Sequence, residues 1–420
     1  MALDKKGNVF VTGQTGGDFT TIKYAPNGDT LWVRKYNGTG NGEDVAYALA
    51  VDDSGNACVT GYSVGNGTAA DYTTIKYSPQ GDTKWVRRYN GLANDEDKAI
   101  SIVVDKAGNV YVTGHSIGNG TSYDYLTIKY GPTGDTHWVK RYDAATFRDE
   151  AHGLAVDMSG NVYVTGNSIA NFSSLHDCAT IKYTSTGDTL WVRHYDYEGV
   201  GGNDVGRSLV VDTNGNVYVS GIGSRHGYPF DYLTIKYSSD GDTLWSRSYN
   251  GSRNGYDEVS ALSSDEEGNI YITGYISSIN SLKDFFTIKY SSLGDILWMR
   301  DYNGIGNRDD EAIDLTIDKS GYVYVTGWSL SETSMDYVII KYIQFECISM
   351  PGDANGDNQI LLSDIIAIVN FLFEDEPLPE PLCRADANAN GIVTFQDIIY
   401  LVNSVFKGGL APIKSRECCL

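Results

Sequence analysis

Positive charge is scarce in this chain: 32 Lys and Arg stand against 54 Asp and Glu, a net charge of −22. A surface of that sign repels phosphate backbones, so nucleic acid is excluded as an expected partner. Long apolar runs are also missing. The longest strongly apolar stretch, Ile365 to Phe373, falls far short of the ~18–20 residues that a membrane-spanning helix needs, which excludes a helical transmembrane anchor. The six histidines, His115, His137, His152, His176, His194 and His226, show no HExxH or comparable metal spacing. There is no nucleophile elbow and no P-loop, and the carboxylates recur as turn elements instead of standing as one acid/base pair, so no enzyme signature emerges. Only 5 Met accompany 47 Gly and 31 Tyr, a composition that describes turns and strands better than long helices.

What the chain does have is repetition. GNVFVTG at Gly7 returns at Gly55, Gly108, Gly160, Gly215, Gly268 and Gly321, at spacings of 48, 53, 52, 55, 53 and 53 residues. Each copy continues with an Asp and TIKY or IIKY, and in six copies with a Gly-Asp turn and a Trp strand such as Gly187-Asp-Thr-Leu-Trp191. A unit closes with Tyr-Asn-Gly or a variant and an apolar run, as in Asp97 to Asp105. Each unit therefore holds four short β-branched or aromatic runs bounded by Gly, Asn or Asp, with no sustained helical period. Glycine supplies the positive φ, and Asp or Asn bonds the local backbone, which favours antiparallel meanders. Seven four-stranded units of about 50 residues predict an all-β fold, a seven-bladed β-propeller of four-stranded antiparallel blades.

These units resemble the bacterial SBBP β-propeller repeat over residues 1–345. The Gly-Asp-Thr-Leu-Trp segment is also similar to the tryptophan-docking segment of pyrroloquinoline-quinone propellers. That resemblance makes Trp32, Trp85, Trp138, Trp191, Trp245 and Trp298 rivets between blades, each removing about 150–250 Å² from water. Repetition also marks the polar positions as scaffold. Lys23, Lys76, Lys129, Lys182, Lys236, Lys289 and Lys341 lie in the TIKY strands and are expected to pair with a repeated aspartate, such as Asp18, Asp71, Asp124, Asp177, Asp231, Asp284 or Asp336, which precede those strands. The seventh unit has no Trp strand and the first begins abruptly at Ala2-Leu-Asp4, inside what should be the preceding strand, so an N-terminally truncated form of a longer secreted precursor, or a misassigned start codon, is expected.

Specificity should sit where the copies differ. The loops after the GNVYVTG-like strands vary most, and Arg225, His226, Tyr228 and Phe230 in copy five and Trp328 in copy seven are the most ligand-like residues. A glycan or protein bound outside the cell is the expected ligand there.

After a linker at 346–352 the composition changes, and a second duplication occupies 353–410, followed by a tail at 411–420. Asp353 to Asp364 and Asp386 to Asp397 are twelve-residue acidic loops, each leading into an apolar helix. Oxygen ligands at positions 1, 3, 5 and 12 are the arrangement that wraps a hard cation, which predicts two Ca²⁺ sites. The pair resembles a type I dockerin domain, a small α-helical calcium-loop pair. By that resemblance Asp353, Asn355, Asp357 and Asp364 with the Gln359 carbonyl hold one ion. Asp386, Asn388, Asn390 and Asp397 with the Ile392 carbonyl and Thr394 hold the other, and the helices plug into a cohesin-like module of a partner. Leu361 at position nine and Asn358 at position six depart from the pattern.

Cys58 and Cys178 read as buried free thiols, while Cys347 and Cys383 precede the loops and either bridge each other or pair with Cys418 or Cys419. Disulfide and calcium together suit an extracellular or cell-surface setting. The expected function is a secreted, non-catalytic binding or scaffold protein. Its alternatives are an accessory or catalytic component of extracellular polysaccharide degradation and a purely structural surface protein.

Overall fold

A computed structural model describes residues 1–342 except 146, 170–174, 198–201, 225–227, 252–254, 278–281 and 332–333, together with 352–355, 359–373, 385, 387 and 393–407. Two compact units divide the chain, one comprising 1–315 and 325–339, the other 316–324 and 340–420.

Local turn chemistry sets the strand boundaries. Asp52 Oδ1 accepts hydrogen bonds from the amides of Ser54 and Asn56 at 3.0 and 2.9 Å, and Gly55 between them takes a φ of +79°. Asp105, Asp157 and Asp212 repeat this device, each turning the chain back antiparallel. The strands assemble in chain order into seven antiparallel sheets, the blades of a β-propeller. Six have four strands, as in Asp97–Val104, Val110–Ile117, Tyr123–Tyr130 and Thr136–Tyr142. The seventh, built from Asp310–Ile317, Val323–Leu330 and Met335–Tyr342, has three among the described residues. Beyond the propeller lie two helices, Leu362–Phe373 and Phe395–Lys407.

In the second to sixth sheets the second and third strands are buried on both faces, because apolar clusters form between successive sheets. One joins Cys58, Tyr72 and Trp85 of the second sheet to Ala99, Val110, Val112 and Leu126 of the third; another joins Cys178 and Trp191 to Leu209, Val219 and Leu233. Both thiols are free and fully buried, and burial pushes each up to about 12. Buried tyrosines cross the same seams: the hydroxyls of Tyr72, Tyr125 and Tyr232 donate to the carbonyls of Leu126, Ala179 and Phe286.

The fourth-strand tryptophans of the first five sheets reach the turn of the next sheet. The indole nitrogens of Trp32, Trp85, Trp138, Trp191 and Trp245 donate to the carbonyls of Pro79, Pro132, Ser185, Ser239 and Ser292 at 3.1–3.2 Å. The ring lies against the glycine of the Gly-Asp turn: a Cβ on Gly241, whose φ is +86°, would sit 2.9 Å from Trp191 Cδ2. Trp298 packs edge-on against Tyr271 within its own sheet, at 6.0 Å between centroids.

The lysines behave differently from the expectation. Among the described residues, Lys23, Lys76 and Lys289 have a carboxylate within reach, at 3.3, 3.0 and 3.8 Å, and the partners are the turn residues Asp4, Asp52 and Asp265 instead of the aspartates before TIKY. Lys129, Lys182 and Lys236 instead donate to the carbonyls of Ser185, Ser239 and Ser292 at 2.8–3.0 Å, the same oxygens that receive the tryptophans. Their ammonium groups also lie 4.8–5.1 Å from the rings of Tyr111, Tyr163 and Tyr218. Lys341 sits 3.8 Å from the Tyr322 centroid. A carbonyl and an aromatic face thus satisfy the charge where a carboxylate was expected.

Trp191→Ala removes a buried indole and a seam hydrogen bond together and is expected to cost about 3–5 kcal/mol in urea unfolding. Gly241→Ala combines a φ of +86° with a clash on that indole, and should destabilise the same seam while leaving Trp191 in place.

Candidate functional site

One bulge organises the end of the propeller where functional side chains collect. In five sheets the pairing of first and second strands slips beside the glycine of Thr-Gly or Ser-Gly. At Gly114 a Cβ would stand 2.0 Å from Lys98 O, so only glycine admits the approach. The skipped residues are Tyr47, Ile100, His152, Arg207 and Ser260. A bulge leaves its extra residue out of the ladder and re-aims it. The residue following each glycine forms a second column: Gln14, Tyr62, His115, Asn167, Ile222, Tyr275 and Trp328.

Together these columns carry a polar belt that crosses the seams. Gln14 and Tyr62 donate to the two oxygens of Glu43 at 3.2 and 2.6 Å. Lys98 lies 5.0 Å from the Tyr62 ring and 2.7 Å from Glu96, whose other oxygen accepts from Tyr123 at 2.8 Å. His115 stands between Glu96 and Glu150, 3.8 and 3.9 Å away, edge-on to Tyr123. Arg148 donates to Glu150 at 2.8 Å and lies 4.9 Å from the Tyr123 ring. His152 donates to Asn167 at 2.8 Å, and the Asn167 amide donates to His176 at 3.0 Å. Arg207 and Tyr275 share Glu258, at 2.6 and 2.9 Å, while Lys283 pairs with Glu311 at 3.4 Å and covers the Tyr275 ring at 3.9 Å.

Burial and neighbouring charge tune the belt. Burial pulls His115 below the ordinary imidazole range, and burial with the Arg207 guanidinium beside it pulls His152 down to about 4. Hydrogen bonds and ion pairs outweigh burial at Glu96 and Glu150 and keep both carboxyls low. Neutral imidazoles beside ionised carboxylates, guanidinium groups and tyrosine rings make a surface of mixed donors and acceptors that carries charges of both signs.

The residues singled out from sequence fall partly elsewhere. Trp328 is half-buried within Val323–Leu330, a strand and not a loop, because the second strands run past the Thr-Gly pair. Arg225 and His226 lie outside the described residues; Tyr228 is exposed, and Phe230 packs on Tyr256 at 5.7 Å. The signal for the belt was variation immediately after an otherwise repeated Thr-Gly.

In the C-terminal pair, Asp353, Asp364 and Asp397 are fully buried. The amides of Asn355 and Leu361 donate to the two oxygens of Asp364 at 3.1 and 2.7 Å, which draws Asn355 toward the twelfth residue of the first loop, and Thr394 N donates to Asp397 at 2.9 Å at the start of the second helix. Asp357, Asp386, Asn388, Asn390, Ile392, Cys347 and Cys383 lie outside the described residues. Ala354, Ile365, Ile368, Ala387, Ile398 and Leu401 pack the core between the helices.

Fold and seam geometry define a β-propeller assembled from tryptophan-docked repeats. Within it, the beta-propeller repeat called SBBP matches residues 84–120, 138–173 and 302–332. An uncharacterized WD repeat-containing protein of Acanthamoeba polyphaga mimivirus is 24% identical over 230 residues, 49% of this chain and 15% of that protein. Among solved structures, an ulvan lyase of a polysaccharide lyase family aligns with a TM-score of 0.50 at 11% identity, over 81% of this chain and 90% of its own. An α-L-arabinofuranosidase of Fusarium graminearum aligns with a TM-score of 0.45 at 12% identity, over 70% and 92% of the two chains. At 11% identity the likeness to the lyase is one of fold alone.

A histidine held near 4 withholds a proton that the unfolded chain takes up near 6.5. That stabilisation is whole above the unfolded value and is lost as pH falls from there toward 4. His152→Gln should therefore remove on the order of 1–2 kcal/mol of the loss in stability between about pH 7 and pH 4.5, read from urea midpoints of variant and wild type.

Proposed function

We propose that this chain is a non-catalytic binding protein whose propeller recognises a neutral, hydroxyl-rich ligand, an extracellular glycan, on the polar belt. The observation that carries this reading is the belt's charge balance. Glu43, Glu96, Glu150, Glu258 and Glu311 stand among Lys98, Arg148, Arg207 and Lys283, with tyrosine rings interleaved. Sugar hydroxyls need donors and acceptors in alternation and rings to stack on, whereas a polyanion would meet five carboxylates on a chain of charge −22. Tyr47 offers an accessible ring beside Tyr62, at 5.8 Å between centroids.

The C-terminal pair would then tether the propeller to a cohesin-like module. Three fully buried carboxylates in so small a core, Asp364 and Asp397 among them hydrogen-bonded, fit a cation, since buried negative charge is costly without a counter-charge. Asp353, Asn355, Asp357, Asp364 and the Gln359 carbonyl would hold one Ca²⁺, and Asp386, Asn388, Asn390, Asp397, the Ile392 carbonyl and Thr394 the other. Bound calcium would cross-link each loop, and the buried twelfth residue of each ties that loop to its helix.

A glycan array probed with the full chain should show retention of neutral polysaccharides. Alanine at Tyr47 and at Arg148, both exposed, should weaken binding about tenfold each without lowering the melting temperature. No retention, or affinities indifferent to both variants, would refute the belt as the binding face. Chelation should separately reduce helix content, and Asp364→Ala should abolish one calcium-binding event in a calorimetric titration.

A further inference from the structure

Asparagine followed by glycine recurs along the chain, and nine such pairs lie wholly within the described residues. Glycine has no Cβ to hinder its neighbour, so its amide nitrogen, once deprotonated, can attack the side-chain carbonyl carbon of the asparagine before it. Whether it does depends on where that N–H points, and the fold sorts the pairs by this criterion.

Six pairs have the glycine amide directed at another acceptor. At the seams, Gly38, Gly91, Gly251 and Gly304 donate to the buried carboxylates of Asp44, Asp97, Asp257 and Asp310, each at 2.6 Å. The side-chain amides of Asn37, Asn90 and Asn303 are held as well, on Asn41, Asn94 and Asn307 at 3.0, 2.7 and 2.7 Å. Gly28 and Gly215 donate to the carbonyls of Ala25 and Asp212 inside their own turns. A seventh pair, Asn41-Gly42, has its asparagine left-handed at a φ of +48° with Oδ1 accepting from Asn37.

Asn66-Gly67 and Asn119-Gly120 differ from all of these. They join the second and third strands of the second and third sheets, and all four residues are exposed. Neither glycine amide and neither asparagine side chain has a hydrogen-bond partner among the described residues. A Cβ on Gly67 or Gly120 would meet nothing within 4 Å. The base of each loop is nevertheless pinned: Thr68 and Thr121 donate to Asp71 and Asp124 at 2.8 and 2.9 Å, and Arg88 and Arg141 hold the same oxygens at 2.7 Å. A fixed frame therefore carries an unengaged tip.

We propose that Asn66 and Asn119 are sites of self-modification, converting to aspartyl and isoaspartyl residues in the folded protein while the six held pairs persist. The glycine nitrogen gives its proton to solvent and bonds to the asparagine Cγ. The Cγ–Nδ2 bond breaks, and the departing nitrogen takes up a proton and leaves as ammonia. Water then adds to either carbonyl of the cyclic imide and opens the ring on that side. Each event adds one carboxylate, and the isoaspartyl product lengthens the backbone by one carbon. At a seam the same attack must first break a hydrogen bond to a carboxylate, which slows it about tenfold or more.

The test is a comparison within one molecule. The full chain is aged in mildly alkaline buffer, with and without urea, and each Asn-Gly peptide is followed by mass spectrometry, with isoaspartate labelled enzymatically by methyl transfer. In the folded chain Asn66 and Asn119 should convert at least about tenfold faster than Asn37, Asn90 and Asn303. In urea the rates should converge. Either of the two converting no faster than the seam asparagines in the folded chain would overturn the proposal. A spread of rates that survives in urea would overturn it equally, because the difference would then lie in local sequence and not in the fold.

Discussion

The interaction on which the propeller depends is the meeting of an indole and a lysine on one carbonyl of the following sheet. Trp138 and Lys129 are cross-strand partners, and both donate to Ser185 O. The pair recurs at Trp191 with Lys182 and at Trp245 with Lys236. A β-sheet with two apolar faces gains nothing from standing alone, since each face must be covered by a neighbour. The tryptophan supplies the cover, and the shared carbonyl fixes how far the neighbour slides. The glycine of the next turn then becomes obligatory because the indole occupies the space a side chain would fill.

That dependence explains what could be read from the amino acids. The strands, their order and the docking tryptophans were legible because turn chemistry is local: an aspartate bonding two following amides beside a left-handed glycine writes each reversal into five residues. The lysine partners were not. Choosing an aspartate by repetition favoured residues within the same strand, whereas the real acceptor lies some 56 residues downstream, on a turn that only packing brings near.

The belt was hidden for a related reason. His152 and Arg207 look like ordinary members of an alternating first strand; the slip opposite Gly166 and Gly221 is what takes them out of register. Their neighbours in the second column, such as His115 and Tyr275, sit inside a repeated motif, where attention goes to what is constant. Trp328 belongs to that column and drew notice for being a tryptophan in a variable stretch, although its strand continues to Leu330. In the C-terminal pair the loop-to-helix pattern was visible because acidic spacing and helical apolar period both lie in sequence, and the buried twelfth residue of each loop follows from them.

The two buried thiols give the propeller internal clocks. Cys58 lies in the seam between the second and third sheets and Cys178 in that between the fourth and fifth. Neither ionises at physiological pH while its seam is shut, so alkylation waits on opening of that seam. Read peptide by peptide, the two rates time the separation of two distinct pairs of sheets within one molecule, and distinguish a stack of sheets that melts as a whole from one that parts first at a single joint.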